Sequence, residues 1–74
     1  MNIKEIYKET MKSYLRDHIY EPDVIGKITY KFFFNHTREL DKELRKKILY
    51  IAHMEDGPEF ELTEKQFYEF LDKL

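Results

Sequence analysis

The sequence predicts an all-α fold, a compact bundle of about four short amphipathic helices. Three observations predict it. Apolar residues recur at three- and four-residue steps in four separate stretches. The joins between them are short, with breaks at Glu21-Pro22-Asp23 and Gly57-Pro58. Only one segment is rich in β-formers, and it lacks a convincing partner strand. The 74 residues form one domain, 1–74, near the lower size limit for folding alone. With no cysteine, neither a disulfide nor a thiolate zinc site can staple it.

The first helix is expected over 3–18. Ile3, Ile6, Tyr7, Met11, Tyr14, Leu15 and His18 make its apolar stripe. Lys4, Lys8, Lys12 and Arg16 run along one edge, their stems laid over the rim of the core.

The second helix is expected over 22–35. Pro22 at a first helical position, followed by Asp23, reads as a helix start. Val24, Ile25, Ile28 and Phe32 then share a face. Residues 28–34, Ile-Thr-Tyr-Lys-Phe-Phe-Phe, also suit a strand, with 59–62 as its one short candidate partner. The proline start favours the helix.

The third helix is expected over 38–54, capped by Thr37, with Leu40, Leu44, Ile48, Ile51 and Ala52 inward. The fourth is expected over 64–73. Thr63 and Gln66 have capping-box spacing, and Leu62 and Phe67 form the matching hydrophobic staple. Phe67, Phe70, Leu71 and Leu74 line its inner face. A single alanine and two glycines predict helices held apart by large side chains, without close backbone contact.

Composition excludes some functions and assigns none. Phe, Tyr, Met, Ile, Asn and Lys fill 34 positions, whereas Gly, Ala, Arg and Pro fill 8. The first group has A+T-rich codons, which points to a low-GC bacterium or its phage. The net charge is −2, so bulk charge implies no affinity for nucleic acid or anionic membrane. No apolar run approaches the ~20 residues of a membrane span, and charges recur every few residues from Met1 to Lys12. A cytoplasmic location is the expectation. The charge is uneven: residues 1–47 carry +3 and residues 48–74 carry −5.

No catalytic set, metal site or cofactor is expected. Ser13 is the only serine, and Gly26 and Gly57 stand alone, so no phosphate-binding glycine loop exists. His18, His36 and His53 lack the spacing that puts two ligands on one helix face. Residues 55–66 end like a calcium-binding EF-hand loop. However, Gly57 stands at the third position, Phe60 at the sixth and Gln66 at the twelfth, where a carboxylate, a glycine and a bidentate glutamate are needed.

Three surfaces are candidates for binding. Tyr30 and Phe34 lie one turn apart in the second helix, with Gly26 one turn earlier; they form a protein-contact patch for a homodimer or another partner, or else the segment is central and wrapped on all sides. Glu55, Asp56, Glu59 and Glu61, with Phe60 among them, form an acidic docking segment for a basic partner. Arg38, Lys42, Arg45 and Lys46 recur on one side of the third helix, with Leu49 and His53 continuing the stripe, as a surface for phosphates or an acidic protein.

Tyr50-Ile51, Phe60-Glu61-Leu62, Phe67 and Leu71 are similar in order to the end of the small YozE-like proteins of low-GC bacteria. Tyr14-Leu15 and Gly26-Lys27-Ile28 fall at compatible positions. The family's Phe-Tyr-x-x-x-Met-Thr-x-Arg opening and its Phe-Pro-Lys turn are not present. The resemblance implies a helical fold like a sterile alpha motif and carries over no site residue.

Together these features predict a small non-enzymatic protein-interaction domain. It would act as a regulator, inhibitor or immunity-type factor, on another protein or as a homodimer, with no membrane partner. The alternative is a nucleic-acid-binding module using the basic face of the third helix.

Overall fold

The computed structural model describes residues 2–74, and among them are four α-helices and no strand. They are α1 (Ile3–Asp17), α2 (Pro22–Asn35), α3 (Lys42–Ala52) and α4 (Glu64–Lys73). Short 3-10 turns occupy Thr37–Glu39, His53–Asp56 and Pro58–Phe60.

Each helix begins where a side chain satisfies backbone amides that the first turn leaves without partners, except α2. Asn2 Oδ1 accepts from the Glu5 amide at 2.9 Å and opens α1. Pro22 opens α2, where its missing N–H is no loss. The whole of 22–35 is helical, so the β-rich stretch 28–34 follows its neighbours rather than its own propensity. At α4 the capping box is complete. Gln66 N–H donates to Thr63 Oγ1 at 3.1 Å, and Thr63 N–H donates to Gln66 Oε1 at 2.9 Å. Thr63→Ala removes half of this arrangement and is expected to cost about 1 kcal/mol. A denaturation midpoint equal to that of the parent protein would contradict it.

The start of the third helix differs from the expectation. Thr37 does not cap it, and the helix does not begin at 38. Thr37 Oγ1 instead donates back to the Phe33 carbonyl at 2.8 Å and helps close α2. Asp41 is the cap of α3, accepting from the Leu44 amide at 2.7 Å. Leu40 still reaches the core, but from an extended residue ahead of the helix. The third helix also ends early, at Ala52, where the chain tightens into the 3-10 turn His53–Asp56. His18, placed on the apolar stripe, lies just past α1 and is exposed, its ring stacked 4.2 Å from that of Tyr14.

The core draws on every helix. Tyr7 and Met11 come from α1, Ile25 and Phe32 from α2, Leu44, Ile48 and Ile51 from α3, and Phe67 and Leu71 from α4. Met54 joins them from the turn after α3. The inner face of α2 is rotated from the expected one. Thr29 is fully buried, whereas Val24 and Ile28 are half-buried. Thr29 can be buried because its hydroxyl and that of Tyr7 share a hydrogen bond of 2.9 Å.

Tyr20, in the loop between α1 and α2, ties the two ends of the chain together. Its hydroxyl donates to the Leu62 carbonyl at 2.7 Å, and its ring tilts against Phe67. Burial pushes the Tyr20 hydroxyl up to about 12 from 10.0, helped by the charges of Glu61 and Glu64. Burial also raises Tyr7, against the smaller opposing effect of its bond to Thr29. Below about pH 10 these hydroxyls are protonated in both folded and unfolded chains, and their contribution is intact. Above it the unfolded chain loses protons that the folded chain keeps, so stability falls as pH rises from 10 towards 12. Denaturation midpoints should decline through that window, and Tyr20→Phe should flatten the decline. An equal slope in the variant would remove Tyr20 as a cause.

Candidate protein-contact surface

Of the six exposed large apolar side chains in the described residues, only Tyr30 and Phe34 pack their rings against each other, tilted by 42°. They stand 39% and 64% exposed on the outer face of α2, with ring centroids 4.9 Å apart. Lys27 and Lys31 occupy the neighbouring helical row, also exposed. Steps of three and four residues connect all four side chains, so they form one continuous lattice of aromatic and cationic groups. Neither lysine makes an ion pair among the described residues.

Gly26 does not belong to that exposed patch. It is buried, and a Cβ there would stand 2.7 Å from the Glu55 amide nitrogen and 3.1 Å from the Ala52 carbonyl oxygen. The backbones of α2 and of the turn after α3 therefore touch, which corrects the expectation that helices stay apart. One glycine in the right place suffices, and composition counts cannot locate it. The contact has a second consequence. Glu55 Cβ lies 3.3 Å from the position of a Gly26 Cβ, so the acidic segment is laid directly against α2. Two candidate surfaces that are separate in sequence thus become neighbours in space.

Glu55, Asp56, Glu59 and Glu61 are all exposed. Phe60 is 46% exposed among them, with its ring 6.0 Å from the His53 ring. His53 Nδ1 lies 2.9 Å from Asp56 Oδ2 and braces the turn. From beneath, Met54 is buried, and its sulfur accepts the Leu62 amide at 3.4 Å. The segment is thus a pinned acidic edge bearing one solvated ring.

The basic candidates are not brought onto one helix face. Arg38 lies in the 3-10 turn before α3, separated from it by Leu40 and Asp41. The Arg45 guanidinium donates to the carbonyls of Thr37 at 3.2 Å and Leu40 at 3.3 Å. Its positive charge stitches the turn to α3, a role that local periodicity does not reveal. Lys42 and Lys46 remain exposed one turn apart.

Elsewhere the described residues offer little chemistry. No three His, Asp or Glu side chains gather to hold a metal ion, and Ser13 is exposed on α1. Among the described residues no helix is long and apolar enough to cross a membrane. A concavity of roughly 210 Å³, lined by Lys47, Phe70, Lys73 and Leu74, is smaller than the ~300 Å³ at which drug-sized ligand pockets begin. Comparison with protein-family models, curated proteins and solved structures finds no match.

Proposed function

We propose that this chain is a non-enzymatic protein-interaction domain that binds through the outer face of α2 and the acidic segment beside it. The observation that carries this reading is the exposed pair Tyr30 and Phe34, whose rings lie in tilted contact. Apolar area removed from water returns about 25 cal/mol per Å², and aromatic anchors dominate protein interfaces. A regulator, inhibitor or immunity-type factor acts by occupying a partner in this way. The A+T-leaning composition supports a low-GC bacterium or its phage as the source. A chain without cysteine gains nothing from an oxidising compartment, which supports a cytoplasmic location.

Nucleic acid is the weaker partner class. Only Lys42 and Lys46 of the proposed basic face stand free of competing bonds on α3, and the chain's net charge is −2. The discriminating experiment is the double substitution Tyr30→Lys with Phe34→Glu. Both positions are exposed, so helical circular dichroism and melting temperature should persist. Association, with itself or with a protein captured from the native host, should be lost. A folded variant with unchanged association would remove the surface from consideration. Steeply salt-dependent binding to DNA or RNA would favour the nucleic-acid reading, because phosphate neutralisation releases counterions.

A further inference from the structure

Resting on the interaction reading above, we infer that the occupant of this surface is a second copy of the same chain, docked about a two-fold axis. Size and charge carry the inference. A 14-residue helix is about 21 Å long and 10–12 Å wide. Its exposed face therefore falls well short of the ~800 Å² that each partner contributes to a stable interface. The contact must extend onto a neighbouring element, and the Gly26 seam determines which one. Glu55 is packed against α2 at Gly26, one helical turn before Tyr30, so the surface continues from α2 onto the acidic segment.

The two halves of this surface are complementary to each other. One half presents Lys27 and Lys31 beside two rings in tilted contact, with Asp23 one turn before Lys27. The other presents Glu55, Asp56, Glu59 and Glu61 around the solvated Phe60. A two-fold axis running between them lays the lysine row of each copy on the acidic segment of the other. The aromatic rings then meet at the centre, and every contact is made twice. The partner that matches an aromatic–lysine row is an acidic segment bearing an aromatic ring, and this chain displays one on the adjoining turn.

Charge reversal tests the pairing. Lys27→Glu with Lys31→Glu gives one variant, and Glu55→Lys with Glu59→Lys gives another. All four side chains are exposed, and helical circular dichroism verifies that each variant folds. Light scattering across a concentration series should give twice the 9.2 kDa chain mass for the parent protein. The lysine-row variant opposes like charges at both contacts, and the Glu55→Lys, Glu59→Lys variant cancels the net charge of the acidic segment, so the self-association of each should weaken at least about tenfold. In an equimolar mixture the intact lysine row of one variant meets the intact acidic segment of the other, so a mixed dimer should form. A parent protein that is monomeric throughout the series overturns the inference. So does a mixture that stays monomeric, or a dimer indifferent to both variants. The broader reading fails separately: it falls only if no captured protein is lost by the Tyr30→Lys, Phe34→Glu variant either.

Discussion

Phe67→Ala is expected to cost about 3–5 kcal/mol and to leave little or no folded protein at ambient temperature. Phe67 is fully buried where α4 meets the rest of the core. Its ring lies 5.7 Å from that of Tyr20 and 6.3 Å from that of Phe70. Truncation removes apolar contacts and leaves a cavity that the rigid helix ends cannot close. It also withdraws the support behind Tyr20, whose hydroxyl binds the Leu62 carbonyl just ahead of α4. A chain of 74 residues has only about 0.05–0.15 kcal/mol of stability per residue. The loss is therefore a large part of the total. Urea denaturation followed by circular dichroism gives the result directly, and a midpoint like that of the parent would place Phe67 outside the core.

Gly26→Val is expected to destabilise by the upper part of the ~1–3 kcal/mol range for overpacking, or more. The atoms in the way are backbone, the Glu55 nitrogen at 2.7 Å and the Ala52 oxygen at 3.1 Å. Rotation of a flexible side chain cannot relieve such a clash. Neither segment is free to retreat, since Ala52 and Met54 on either side of the contact are buried. Gly26→Ala sets two effects against each other. Alanine gains about 1 kcal/mol within a helix, yet its Cβ alone makes the short contacts. A net loss is the expected outcome, smaller than that of valine. If valine leaves the melting temperature unchanged, α2 and the turn after α3 do not touch as described. Opening the seam would also part the Tyr30–Phe34 surface from the acidic segment, so association should weaken along with stability.

The helices themselves were legible because each is encoded within a few turns of chain. The stripe of α1, the proline start of α2 and the capping box of α4 are all relations among residues three or four apart. The exposure of Tyr30 and Phe34 needed the fold: periodicity leaves open whether 22–35 lies at the surface or is wrapped on all sides, and the structure turns the side opposite Ile25 and Phe32 to solvent. The start of α3 misled because Leu40 keeps the apolar rhythm of Leu44 and Ile48 although it precedes the helix. Asp41, a plain cap by type, lies inside that rhythm and was masked by it.

By itself, then, the sequence determined the four amphipathic helices, the largest part of the core, and the residues carrying the acidic segment and the aromatic pair. Tertiary structure alone decided that Gly26 is a seam rather than a surface, that Thr29 is buried against Tyr7, and that Tyr20 latches Leu62. The two hydrogen-bonded pairs lie 22 and 42 residues apart, and such contacts leave no periodic mark on the chain. The physical reason is that helix periodicity reports which side of a segment is apolar. Which neighbour that side meets, and how closely, depends on how all four helices fill one volume together.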